Sequence, residues 1–157
     1  MVQRAPARVV YLRYAGPCGE PLGRLWHITV SGWLAEHGLL DCPRYGIYLD
    51  DPRTAAAERC RYEACVEPPR GLPVPDAAET TVAGGVYAVT EFKGTSATIG
   101  AAWAAFASAC AARSLASDAS RPAFAHYPRG ASFDPKTGVF ACELWMPVAG
   151  PATGEGS

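Results

Sequence analysis

A chain of 157 residues with 49% apolar and 18% charged side chains is long enough to bury one core without help from disulfides or metal. Its net charge of −1, with 12 arginines scattered among acids between Arg4 and Arg129, is unlike the clustered basic face that phosphate backbones require, so no direct nucleic-acid binding is expected. Apolar runs stop well short of the roughly 20 residues of a membrane span, and Met1–Arg8 is not followed by the apolar stretch of an export signal, so a cytoplasmic protein without membrane association is expected.

Residues 1–8 read as a loose N-terminal tail. Ala7–Tyr14, with β-branched and aromatic residues, predicts a strand ended by Gly16-Pro17. Leu22, Leu25, Trp26, Thr29, Trp33 and Leu34 repeat at helical spacing and predict an amphipathic helix over 20–37, stopped by Gly38. Arg44–Asp50 and Arg59–Glu67 predict two strands; in the second, Tyr62, Ala64 and Val66 share one face and Glu63 and Cys65 the other. The prolines between Pro68 and Pro75 mark the strongest break. Thr80–Phe92 predicts one strand with a bulge or bend at Gly84-Gly85. Ala97–Ser114 predicts a helix with Ile99, Ala102, Trp103, Phe106 and Cys110 on one stripe; Ala123–Tyr127 and Val139–Met146 predict the closing strands, and the residues from Pro147 on a disordered tail.

These elements contain an internal repeat. Tyr11–Tyr14, Gly16, Gly23, Trp26 and Pro43-x-Tyr45-x-Ile47-Tyr48 return in the same order as Val86–Phe92, Gly94, Gly100, Trp103 and Pro122-x-Phe124-x-His126-Tyr127. The Gly–Gly–Trp intervals are seven and three residues in the first copy and six and three in the second. Two copies are too few for a solenoid. They predict an α+β fold of two pseudo-symmetric β-α-β-β modules, forming an antiparallel sheet with two helices on one face and a central groove. The predicted domain spans 9–148, with halves 9–67 and 80–148, linker 68–79 and a tail over 149–157. Gly23 and Gly100, in the first turn of each helix, predict close backbone approach.

Helical stripes containing Trp26, Trp33, Trp103 and Phe106 serve packing first, but aromatic walls also suit flat lipophilic or cationic molecules. Glu143 lies in the apolar strand Phe140–Met146, where a carboxylate is costly to desolvate unless paired or used; Glu63, between Arg61 and Glu67, reads as solvent-exposed. Six cysteines without a C-x-x-C pair, and three histidines not at ligand spacing with them, predict reduced thiols, no metal and no cofactor. No G-x-S-x-G elbow, G-x-G-x-x-G or P-loop is present.

Four motifs carry a family resemblance: Arg44–Pro52, Cys60–Val66, Gly84–Val89 and Glu143-Leu144-Trp145-Met146-Pro147-Val148. In that order, across Val9 to Val148, they resemble the GyrI-like small-molecule-binding domain, also the effector-binding domain of AraC-type and MerR-type regulators. The resemblance implies two modules around a groove that accepts lipophilic or cationic molecules, with Glu143 at its base, here without the DNA-reading helices of those regulators. The expected ligand-binding set is Glu143 as acidic anchor with Trp26, Tyr48, Trp103, Phe106 and Trp145 as walls. An alternative is hydrolysis of strained cyclopropane-containing electrophiles, with Glu143 acting on water and Tyr48 or Tyr127 donating a proton. A second is gyrase inhibition. A topoisomerase or a transcription regulator is a candidate partner; the sequence leaves oligomeric state open.

Overall fold

The computed structural model describes residues 1–16, 23–49, 60–72, 74, 77–118, 120–131, 133–134 and 136–149, apart from the side chains of His27 and Cys60. Among the described residues eight strands form one antiparallel sheet: β1 (Val2–Arg4), β2 (Ala7–Gly16), β3 (Arg44–Tyr48), β4 (Cys60–Val66), β5 (Ala78–Val82), β6 (Gly85–Gly94), β7 (Phe124–Tyr127) and β8 (Phe140–Pro147). Helix α1 begins as a π-helical stretch, Leu25–Val30, and continues as the α-helical stretch Ser31–Glu36; α2 is Ile99–Ala112.

The strand order is β1-β6-β8-β7-β3-β4-β2-β5. The repeat is visible in it: β6-β8-β7 of one module mirrors β2-β4-β3 of the other, and β7 pairs with β3 where the modules meet, Tyr45 opposite His126. The two β-α-β-β modules therefore share one continuous sheet, as the sequence predicts.

The outermost strands were not legible in that repeat. Residues 2–4, expected as a loose tail, form β1, and the single strand expected over 80–92 is two strands, β5 and β6. Each outer strand is exchanged between modules: β1 precedes the first module but pairs with β6, and β5 precedes the second but pairs with β2. Only Ala5-Pro6 separates β1 from β2, and only Ala83-Gly84 separates β5 from β6. Three residue steps reach at most about 10 Å, so the two ends of the sheet must approach one another and the sheet curls. Gly84 and Gly85 make this seam possible. A Cβ on Gly84 would lie 2.8 Å from Cδ of Pro6, and Gly85 adopts φ +130°, a conformation that favours glycine. The predicted bend is thus a full change of strand.

Alternation gives the sheet two faces. Val10, Tyr62, Ala64, Val66, Tyr48, Ala125, Cys142, Leu144 and Met146 pack with Val30 and Leu34 of α1 and Trp103 and Cys110 of α2, the helix face. Val9, Tyr45, Ile47, Cys65, Val82, Tyr87, Phe124 and Trp145 form a second cluster without helical residues. Because Val82 and Tyr87 come from opposite ends of the strand order, this cluster lines the inside of the curl. The expected partition of β4 holds, with Tyr62, Ala64 and Val66 on the helix face and Cys65 inside.

Of the paired glycines, Gly23 does sit in a close approach, its Cβ position 2.6 Å from the Ser96 hydroxyl, but Gly100 faces open space. The two helices are therefore seated differently on their modules. Cys42, Cys65, Cys110 and Cys142 are buried. Burial pushes the Cys142 thiol up to about 12, so it behaves as a small apolar side chain. Residues 50–59 and 150–157, including Asp50-Asp51-Pro52 between the strands expected over 44–50 and 59–67 and most of the predicted tail, lie outside the described residues.

Candidate functional site

The helix face of the central strands is paved with aromatic rings. Tyr48 on β3 and Tyr62 on β4 are directly paired, their ring centroids 5.1 Å apart, and Trp103 of α2 stands edge-on to Tyr48 at 5.4 Å. These three are buried. Around them Trp26, Phe106, Tyr127 and Phe140 keep part of their surface open to solvent. Trp26 lies 5.2 Å from the Tyr127 ring and 6.3 Å from Tyr62, Phe106 lies 6.4 Å from Trp103, and Phe140 lies 5.9 Å from Tyr127. Buried rings form a floor and half-open rings form walls, contributed by both modules at their junction. Trp26 is carried by the π-helical stretch of α1, a rare geometry that recurs at functional sites.

Polar atoms thread this aromatic surface. Trp26 Nε1–H donates to the Tyr62 hydroxyl at 2.7 Å, and Tyr62 is hydrogen-bonded to Tyr127. Burial pushes both phenols well above their ordinary range. They stay protonated at physiological pH and act as hydrogen-bonding groups, not as bases.

Two buried N–H groups here have no acceptor among the described residues: Nε1 of Trp103 and Nε of Arg44. The repeat explains the first. Trp103 is the counterpart of Trp26, and the register places Tyr62 opposite Tyr48; the corresponding position opposite Tyr127 is Cys142. The second module thus lacks the phenol that serves Trp26, and Trp103 is left unpaired. Arg44 stands at the start of β3, opposite Tyr127, and desolvation lowers its pKa. Strands β3, β4, β7 and β8 present no carboxylate to this face among the described residues.

The expected site set is divided by the sheet. Trp26, Tyr48, Trp103, Phe106 and Tyr127 come together on the helix face. Glu143 and Trp145 lie on the other side, inside the curl, because β8 is regular and both follow the opposite alternation from Cys142 and Leu144. There Glu143 Oε1 accepts from Trp145 Nε1 at 3.1 Å and meets His126 Nδ1 at 2.7 Å, with a third of its side chain exposed. Glu63, expected to be exposed, is buried: 5% exposed, it accepts from Arg13 at 3.0 Å. The curl covers its face, and Arg13, directly opposite on β2, supplies the charge that makes burial tolerable.

The hydrolytic alternative needs Glu143 and Tyr48 or Tyr127 around one substrate. The sheet lies between them, and both relevant faces use these groups in other hydrogen bonds or packing, so that chemistry is not assembled. Sequence reasoning also passed over Tyr62 and Arg44. Their signal was available in the alternation of β3 and β4, which puts both on the face carrying Tyr48.

An α+β sheet of twin modules with an aromatic, largely apolar surface at their junction defines a binding protein for small molecules. The chain belongs to the family described as the GyrI-like small molecule binding domain, whose model matches residues 1–149. Among curated proteins it is 28% identical over 120 residues to a DNA gyrase inhibitor of Escherichia fergusonii, covering 74% of this chain and 76% of that protein. Its fold is similar to that of SAV2435 bound to tetraphenylphosphonium, with TM-score 0.67, 17% identity and coverage of 98% and 94% of the two chains. A crystal structure of a putative bacterial transcription regulation protein from Staphylococcus aureus is similar at TM-score 0.60 and 17% identity, covering 95% and 96%. Among the described residues no helix is long and apolar enough to cross a membrane, and no group of three or more His, Cys, Asp or Glu is placed to hold a metal ion.

Proposed function

We propose that this chain binds aromatic, lipophilic small molecules on the helix face where its two modules meet, and that it prefers those bringing a hydrogen-bond acceptor. The observation that carries this reading is the pair of buried donors, Trp103 Nε1 and Arg44 Nε, which have no acceptor among the described residues and lie within an aromatic surface. Apolar burial supplies most of the affinity. A buried donor without an acceptor costs about 1–3 kcal/mol, and a ligand oxygen that reaches it recovers that cost as selectivity. Ring faces accommodate lipophilic cations as well, but the central strands offer them no counter-ion on this side.

Benzophenone and diphenylmethane differ by one carbonyl and test the preference by calorimetry. Benzophenone is expected to bind about tenfold tighter, and Trp103→Phe, which keeps a ring but loses the N–H, is expected to bring the ratio close to one. A ratio unchanged by that substitution removes Trp103 from the site; no binding of either compound sinks the reading. Tetraphenylphosphonium, held by one structural neighbour, is expected to compete with benzophenone through its phenyl rings. Glu143→Gln, on the opposite side of the sheet, is expected to change tetraphenylphosphonium affinity by less than about twofold. A larger loss would relocate that ligand to the inside of the curl.

The curated gyrase inhibitor favours a second reading, in which a protein partner meets this chain. Its sign would be lost supercoiling by gyrase on addition of the pure protein.

A further inference from the structure

The inside of the curl contains an aromatic cage that already holds a cation. The Arg4 guanidinium carbon lies 5.2 Å from the centre of the Tyr45 ring, 5.5 Å from Phe124 and 5.2 Å from Trp145. One Arg4 Nη–H donates to the Tyr45 hydroxyl at 3.1 Å, and Tyr45 donates to Glu67 at 2.8 Å. Phe124 and Trp145 face one another across β7 and β8, stacked at 5.5 Å and 14°, and all three cage rings are more than nine-tenths buried. The cage walls therefore stand on interior strands of the sheet.

The occupant stands on something much weaker. β1 is three residues long, pairs with β6 alone and lies at the edge, with Met1 and Val2 exposed. Short edge strands are among the easiest elements to detach. Charges facing the cage also suit a cation: Glu67 is linked through Tyr45, Glu143 through the Trp145 indole N–H, and Arg121, over the Tyr87 ring at 4.7 Å, is neutralised by Asp118. His126 stacks on Tyr45 at 4.8 Å.

We infer that the Tyr45–Phe124–Trp145 cage is a second ligand site, on the opposite side of the sheet from the first, which takes guanidinium or compact quaternary ammonium groups and which Arg4 fills as an internal ligand. A planar guanidinium lies on the rings and donates edgewise to Tyr45 at once; an ammonium of similar charge satisfies the rings alone. A competing cation must lift β1, and lifting β1 opens the seam where the two modules exchange strands. The inference rests on the inside of the curl and is independent of the helix-face reading.

Arg4→Ala in the full chain empties the cage and tests this. Tetramethylammonium and ethylguanidinium are titrated while proton NMR follows their own signals. Saturable binding in the millimolar range is expected, with upfield shifts from the ring currents of the cage, at least about tenfold weaker in the unaltered chain. The binding is expected to vanish in Arg4→Ala with Trp145→Leu and to persist in Trp103→Phe. Should Arg4→Ala fail to fold, recovery of native circular dichroism by millimolar ethylguanidinium, and not by equal sodium chloride or urea, is the same result. Absence of saturation or recovery, or equal binding with and without Arg4, overturns the inference.

Discussion

Trp103→Ala is expected to lower the free energy of unfolding by about 3–5 kcal/mol, the largest stability loss available on the helix face. Trp103 is fully buried, stands edge-on to Tyr48 and packs beside Phe106, so its removal leaves a cavity beneath α2 that rigid strands cannot close. Trp103→Phe is expected to cost about 1 kcal/mol or less, although it also loses volume, because it removes a buried donor that has no acceptor. Urea unfolding with unchanged m-values measures both. If phenylalanine costs as much as alanine, the indole N–H has a partner and the selectivity argued for the helix face loses its basis.

The contrast between these substitutions separates packing from function at one position. A folding requirement alone would place an apolar residue at Trp103, as the neighbouring stripe residues Ile99 and Cys110 do. The first module shows that an indole in this seat can be paired within the protein, through Tyr62. Cys142 in place of that tyrosine leaves the Trp103 N–H open in the second module, and Arg44 of the first has Ala123 as its counterpart, so the two halves of the surface are not equivalent and a ligand bound there would take a preferred orientation across the pseudo-twofold axis.

The modules and their shared face were legible in the sequence because both rest on local period. Alternation in Arg61–Val66 separates Tyr62 from Glu63 without any knowledge of the fold, and the Trp26 and Trp103 stripes fix which side of each helix meets the sheet. The exchange of β1 and β5 was not legible, because it depends on which edges meet once the sheet curls, a long-range outcome with no periodic signature. The side of the sheet that Glu143 takes was not legible for a related reason. An acid among apolar neighbours signals a covered face but does not say which face, and here both faces of β8 are covered, one by helices and one by the curl. Glu63 misled in the opposite direction: Arg61 and Glu67 share its face and read as a solvated side, but the curl covers that face at Glu63, where Arg13 lies opposite on β2.

Gly46→Ala is expected to destabilise the protein by about 2–3 kcal/mol and to abolish binding on the helix face. Gly46 lies on β3 opposite Ala64 and Ala125, with its open side beneath the Tyr62 ring, and a Cβ there would overlap the Tyr62 hydroxyl. Strand and ring cannot both stay. Tyr62 would have to swing out, breaking its bond from Trp26 and its link to Tyr127, and the floor of the aromatic surface would go with it. A double-mutant cycle isolates this cause from the general cost of altering a central strand. Tyr62→Leu alone loses the network, but in its presence Gly46→Ala meets no hydroxyl and is expected to cost less than about 1 kcal/mol, a coupling of about 2 kcal/mol. Additive costs in the cycle would mean that Gly46 is required by the strand itself, and that the phenol above it is free to move when a ligand enters.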